Sequence, residues 1–506
     1  MLCDRPLTMK FLYRVSILYL IFPFLLFLFG WVRLSIAIPL SAIVLFAIWR
    51  LFKNCATNHH SPFPDSKSIG YWLLITAFWV ALSGVGGYAF QNWDHHWRNA
   101  VFRDLIKFDW PVYYTQPESG PVKMLVYYVG YWLPSAWVGR FLGWKAANFA
   151  LFLWTLPGVL LVTLHLASAL KTSPLKASLL LILFSGLDSI GTLFFAKEYP
   201  SLLPPVTHLE IWAGNLQYSS FTTQLFWVFN QAVPAWLCVA MIVVIAARQS
   251  QSHAEIILLW SLCFFFAPLV SLGLLPYVLI ELIKQTDFKS PFKNLRWEIL
   301  PAAAIILLLS TFYFLSNTAA QQRGLQAIPF ADFLAFFLLE GGILWFALAP
   351  VKWRDPRWMV TGLLLLVIPF IQLGSDRDFV MRVSIAPLFY LMLMAGETIF
   401  DKTTPRLLLA ACYLLLVFGS LTPLYEINRS VYRTYEYYLV LDEDQRVAPP
   451  PKPAAHLEQA GALELEHPGA LTADEIISLQ FMEDKLSKNF IANVRQTVFY
   501  RYFLSR

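Results

Sequence analysis

Residues 86–114 read GGYAFQNWDHHWRNAVFRDLIKFDWPVYY. Asp94, His95, His96, Arg98, Arg103, Asp104 and Asp109 crowd into this one segment, while the chain around it is apolar over long runs. Of 506 residues, 58% are hydrophobic and 14% are charged, against about 25% charged in an ordinary soluble domain. Mean hydropathy is +0.57. A water-soluble core cannot hold that much apolar side chain, so the solvent is lipid, where helices satisfy their own backbone. The segment is then the densest polar break in a series of membrane helices. The expected fold is an all-α polytopic membrane protein.

Working outward, a span needs roughly 17–25 apolar residues. Such runs lie near 13–32, 34–50, 69–89, 146–170, 176–196, 222–247, 254–268, 269–284, 298–316, 330–350, 358–374, 380–400 and 405–424, about 13 in all. The pair 254–284 is short and interrupted by Pro268 and Pro276, so a re-entrant hairpin is the alternative there.

Lys and Arg in short loops set orientation. With the N-terminus cytoplasmic, one face collects Arg50, Lys53, Lys67, Lys171, Lys176, Arg248, Lys284, Lys289, Lys293, Arg296, Lys352, Arg354, Arg357, Lys402 and Arg406. The loops 90–145, 197–221, 317–329 and 375–379 and the tail from Leu424 are then external. Loop 90–145 breaks the rule with Arg98, Arg103, Lys107, Lys123, Arg140 and Lys145. Anionic headgroups or a phosphate-bearing substrate give external basic residues a reason. Within that loop, Val122–Trp144 is apolar but broken by Gly130, Pro134 and Gly139. A pair of interfacial helices is the preferred reading, a true span the alternative.

The chain divides into residues 1–68 (two N-terminal helices and an inner loop), 69–424 (the main membrane region) and 425–506 (a small external appendage). The last part holds a proline-rich linker, Ala448–Pro453, and a capping-box spacing at Thr472–Glu475. The first apolar run has no clear cleavage site and reads as an anchor helix. Cys3, Cys55, Cys238, Cys263 and Cys412 form no CxxC pair, so neither a disulfide framework nor a thiolate metal site is expected. The net charge of +6 is small and reflects loop asymmetry rather than nucleic-acid binding. Phosphate-loop, HExxH and GxSxG motifs are missing, which argues against a nucleotide-driven pump or a hydrolase of those types.

Three polar groups remain as candidates. Asp94 follows the third span and reads as a general base, a metal ligand or a helix cap, with His95 as its partner. His95 and His96 point about 100° apart on a helix, so one metal ion does not easily take both. Arg98 and Arg103 read as phosphate contacts or as snorkelling side chains. In the second group His208 and Glu210 stand two apart, beside Trp212, Asn215 and Gln217. Aromatic and hydrogen-bonding groups of this kind suit a sugar, and equally a wet interface. The third is Arg377, Asp378 and Arg382, where Asp378 and Arg382 have ion-pair spacing. Asp188 is a carboxylate within an apolar run and a functional suspect for that reason.

The order of a span, an outer loop with an early acidic residue, membrane-hugging aromatic segments and many further spans resembles the GT-C class of integral-membrane glycosyltransferases. That class includes the protein mannosyltransferases and the bacterial aminoarabinose transferase. The strings QNWDHHWRNAVFRDL, HLEIWAGNLQYSS and SDRDFVMRVSIAP look like those of bacterial multipass proteins of this type. The likeness covers roughly residues 69–424 as architecture. It implies transfer of a sugar from a polyprenyl-phosphate carrier to an acceptor outside the membrane, a bacterial inner membrane by the same likeness. It also implies an acidic base in the first outer loop, and only Asp94 matches that position. The chain departs in having His95 and His96 where a second acidic residue is usual, and in two extra spans before the loop. A divalent metal stays open, as do sugar, acceptor and oligomeric state. A glycolipid or polysaccharide flippase, and an assembly protein, are the other readings.

Overall fold

The structure is a computed structural model and describes residues 9–53, 66–115, 121–196, 201, 203–205, 208–247, 253–286, 296–317, 323–374, 378–436, 476, 478–481 and 489–504. Each expected apolar run is helical. Among the described residues nine helical runs are long and apolar enough to cross a membrane, and Ser68–Leu82, His253–Phe266, Leu300–Phe314 and Pro356–Phe370 are shorter apolar helices. The chain is thus a multi-pass membrane protein of helical type.

Helices α1 (Met9–Trp31), α2 (Leu34–Lys53) and α3 (Ser66–Leu82) lead to α4 (Trp93–Lys107), which carries the polar segment. Strand β1 (Lys123–Leu125) and a 3-10 turn, Val129–Trp132, follow. Next comes the long α5 (Leu133–Leu170), broken at Gly143, whose φ of 81° lies where glycine is favoured. The expected pair of interfacial helices in 122–144 is therefore corrected. Its first half is strand and turn, because its backbone pairs with the C-terminal segment. Helices α6 (Pro174–Leu183) and α7 (Asp188–Phe195) are two pieces of one run. α8 (Phe221–Ala246) is buried along almost all its length and forms the centre of the bundle.

Helices α9 (His253–Phe266) and α10 (Pro268–Gln285) fold back on each other. His253 Nε2 bridges the Leu282 carbonyl at 3.2 Å and the Thr286 hydroxyl at 3.1 Å, and the Trp260 indole donates to the Ser271 carbonyl at 2.9 Å. At about 1.5 Å per residue, fourteen-residue α9 is about 21 Å long, short of a hydrocarbon core of about 30 Å. The remaining elements are α11 (Leu300–Phe314), β2 (Arg323–Leu325), α12 (Phe330–Phe337), α13 (Ile343–Lys352), α14 (Pro356–Val367), β3 (Ile371–Leu373), α15 (Asp378–Val383), α16 (Ile385–Phe400), α17 (Arg406–Gly419), α18 (Leu421–Tyr435) and β4 (Ile491–Asn493).

Polar contacts sort to two ends. At one end Arg296 pairs with Glu255 at 2.6 Å and donates to the Arg50 carbonyl at 3.0 Å, while Lys352 and Arg357 meet Glu397 at 2.5 and 3.1 Å. At the other end β4 pairs antiparallel with β1, matching Lys123 with Asn493 and Leu125 with Ile491. There Asn317 donates to the carbonyls of Val126 and Asn489 at 2.7 and 2.9 Å, and Arg33 to that of Leu504 at 2.9 Å. The described part of the C-terminal region is thus stitched into the first loop. α18 belongs to the helical body, with Glu426 and Arg429 buried. Ala448–Pro453 and Thr472–Glu475 lie outside the described residues.

One glycine sets the position of a site residue. A Cβ on Gly273 of α10 would lie 2.1 Å from the Val383 carbonyl oxygen of α15. Gly273→Ala must push α15, which carries Arg382, away from α10. We expect it to destabilise the protein by about 1–3 kcal/mol, the range for overpacking, read as a lower unfolding temperature in detergent.

Candidate functional site

The site begins with the start of α4. Asn92 caps this helix: its side-chain oxygen accepts from the Asp94 N–H at 3.1 Å, and its amide donates to the Phe226 carbonyl of α8 at 2.7 Å. The cap role considered for Asp94 is filled by Asn92, which leaves the Asp94 carboxylate available. It pairs one turn on with Arg98, at 2.8 Å. The Arg98 side chain is only 5% exposed, and among the described residues its Nε and Nη1 have no hydrogen-bond partner.

A second arginine repeats the arrangement. On α15, Arg382 forms the expected one-turn ion pair with Asp378. Its side chain is 7% exposed, and among the described residues its Nε has no hydrogen-bond partner. Tyr127 and Tyr128 lie within electrostatic reach of both arginines, and their phenols feel the positive charge of Arg382 and of Arg98. Burial nevertheless holds both phenols above their usual range. Tyr127 packs on Tyr128 at 4.0 Å and on Phe490 at 4.6 Å, and Phe490 stacks on Trp97 at 5.7 Å. Each guanidinium is buried with N–H groups that the described residues leave unpaired, a state that favours an anionic partner. A buried donor left unsatisfied costs about 1–3 kcal/mol, and more when charged.

His95 does not join Asp94. It faces α8, where its Nε2–H donates to the Phe226 carbonyl at 3.0 Å and its ring stacks on Phe229 at 5.6 Å. Burial, with Arg98 nearby, pushes its pKa down to about 4. The expected Asp94–His95 partnership is corrected on that ground: one helical residue turns the ring about 100° away. Arg103 also leaves the group. It pairs with Asp104 at 2.8 Å and lies over the Phe108 ring. Asp104 in turn accepts from Tyr114, Ser478 and the Leu479 N–H at 2.9–3.0 Å. Burial raises the Asp104 pKa in spite of these donors. The pair anchors the C-terminal segment.

A second cluster adjoins the first. Glu210 is fully buried and accepts from the Ser220 N–H at 2.9 Å, the Thr223 hydroxyl at 2.7 Å and the Gln217 amide at 2.9 Å. His208 lies 3.5 Å from Glu210 and hydrogen-bonds through Nδ1 to Glu426 of α18. Burial alone would lower its pKa, but the Glu426 charge and the hydrogen bonds to Glu210 and Glu426 raise it to about 9. His208 is therefore an imidazolium at neutral pH. Glu426 also pairs with Arg429 at 3.3 Å, and Arg429 lies over the rings of Phe90 and Trp227. A small cavity lined by Ser83, Phe90, Asn92, Phe226, Glu426, Arg429 and Ser430 joins this cluster to the start of α4.

Asp94, Arg98, His208, Glu210, Gln217, Asp378 and Arg382 thus gather at one end of the bundle, in two adjacent clusters rather than one open pocket. Arg377 lies outside the described residues. Among the described residues, no three His, Cys, Asp or Glu side chains are grouped to hold a metal ion. Sequence reasoning missed Tyr127, Tyr128, Glu426 and Arg429. For the last two there was a signal: Glu426, Arg429, Ser430 and Arg433 repeat at helical spacing, which marks one polar face. No family model, curated protein or solved structure matches the chain.

Proposed function

We propose that the protein is a membrane glycosyltransferase that moves a sugar from a polyprenyl-phosphate-linked donor to an acceptor on the outer side of the membrane. In this reading the nine long and four shorter apolar helices make about thirteen passes, the bilayer thinning around the shorter ones such as α9. The N-terminus is cytoplasmic in a bacterial inner membrane, and the site end, with the C-terminal segment, is external. The architecture is GT-C-like. The observation that carries the proposal is the pair of buried arginines, Arg98 and Arg382, incompletely hydrogen-bonded among the described residues, each paired with its own aspartate and each acting on Tyr127 and Tyr128 through its charge.

The chemistry follows from that geometry. A lipid-phosphate leaving group gathers negative charge as the glycosidic bond breaks, and fixed guanidinium groups stabilise it. Asp94 is partly exposed beside them and takes the proton of the acceptor hydroxyl as general base. His208, Glu210 and Gln217 form the neighbouring polar wall, suited to sugar hydroxyls. His95 and Arg103 act through packing and have no part in the chemistry.

Each arginine is expected to supply a charge-assisted hydrogen bond of about 1.5–3 kcal/mol to the phosphate. Arg98→Ala and Arg382→Ala should each weaken binding of a short-chain polyprenyl phosphate about 10- to 100-fold, measured on protein in nanodiscs. Unchanged binding in both folded variants would overturn the proposal. A flippase for the same lipid-linked sugar is the second reading. It is favoured by one observation, the fully buried carboxylates Asp188 and Glu340 within the helical region. Vesicles that translocate the lipid without consuming an acceptor would support it.

A further inference from the structure

The run of α6 and α7 breaks just before Asp188, and residues 184–187 are not helical. Glu340 sits on a π-helical turn, Leu338–Gly342, between α12 and α13. Interruptions of this kind often mark functional places in membrane helices. Asp188 is fully buried and Glu340 is 2% exposed. Each has one oxygen satisfied: Ser185 donates to Asp188 Oδ2 at 3.0 Å, and the Trp212 indole donates to Glu340 Oε1 at 2.8 Å.

The other two oxygens, Asp188 Oδ1 and Glu340 Oε2, take no hydrogen bond from a described protein donor. They belong to carboxyl groups that touch each other. The fully buried Thr422 hydroxyl of α18 lies beside Asp188 and is a donor within reach of that carboxyl. Two ionised carboxylates in contact repel, and burying both without a counter-ion is costly. The neighbouring charged group that acts on both is Glu210, another acid. The nearby cations are engaged elsewhere, His208 with Glu210 and Glu426, and Arg429 with Glu426. Among the described residues no cation separates the two carboxyl groups, and an acceptor beside an acceptor calls for a proton.

We propose that Asp188 and Glu340 form a proton-binding site within the membrane region, with the proton held between Oδ1 and Oε2. The Trp212 indole connects this site to the segment 208–220, so the proton's arrival or departure is felt by His208 and Glu210. The site stands apart from the glycosyl-transfer reading and does not rest on it.

The test is infrared spectroscopy of the full-length protein in nanodiscs during a pH titration. Wild type should show the carbonyl stretch of a protonated carboxyl at neutral pH, lost on alkalinisation. The band should disappear or shift in Asp188→Asn and in Glu340→Gln. Trp212→Phe removes a donor that favours ionised Glu340, so the band should persist to higher pH. If Asp188→Asn does not fold, Glu340→Gln and Trp212→Phe carry the comparison. A wild-type spectrum without such a band, or one insensitive to these substitutions, would overturn the proposal. So would binding of radiolabelled sodium at neutral pH that is abolished by Glu340→Gln, because the site would then belong to a metal cation.

Discussion

Asp94→Asn is expected to cut glycosyl transfer by about 10²–10⁴-fold, the usual contribution of a positioned general base. The amide keeps the size of the carboxylate but cannot take a proton from the acceptor. It also leaves Arg98 without its anionic partner at 2.8 Å, so that under the proposed function a free guanidinium would be offered to the donor phosphate. Donor binding should therefore hold or tighten while turnover collapses. A purely structural ion pair would instead lower stability and leave turnover per folded molecule intact. Measuring transfer from a synthetic lipid-linked sugar next to equilibrium binding of the lipid phosphate separates the two. Full activity in a folded Asp94→Asn variant would remove Asp94 from the chemistry.

The second large effect concerns stability. Glu426 is 1% exposed and faces both His208 and Arg429. Removing one partner of a buried ion pair costs about 3–5 kcal/mol, because the remaining charge stays buried. Glu426→Gln should lower stability by that order, read by thermal unfolding in detergent at pH 7. The sign of the pH dependence follows from His208. Its folded pKa is raised to about 9, above an ordinary value of about 6.5. The stabilisation is therefore complete below about 6.5 and is lost as pH rises through about 9. The gap between wild type and Glu426→Gln should narrow above that pH. A gap that stays constant from pH 6 to 10 would mean that His208 does not change its charge in that range.

The helices were legible in the sequence because lipid leaves the chain little choice: an apolar run of sufficient length has nowhere else to satisfy its backbone. The one-turn pair Asp378–Arg382 was legible for a similarly local reason. The ion pair of Arg98 with Asp94 was not drawn, although the two share the same one-turn spacing. His95 was misread because adjacency in sequence looks like partnership, whereas a helix turns neighbours apart. Segment 122–126 was misread because its partner strand lies at the far end of the chain, and pattern alone does not reveal long-range pairing. Glu426 and Arg429 were hidden by a boundary drawn at 424, which assigned the polar half of a helix to a tail.

The pairing of β1 with β4 has a consequence for biogenesis. During synthesis the first large loop reaches its compartment long before residues 491–493 exist. Until they arrive, Lys123–Leu125 has an unmatched edge, and Trp97 and Tyr127 lack the Phe490 ring that covers them. The face that carries Trp97 and Tyr127 is therefore completed last, after the preceding helices have been made. Loss of the final segment should yield a protein that is inserted but incompetent.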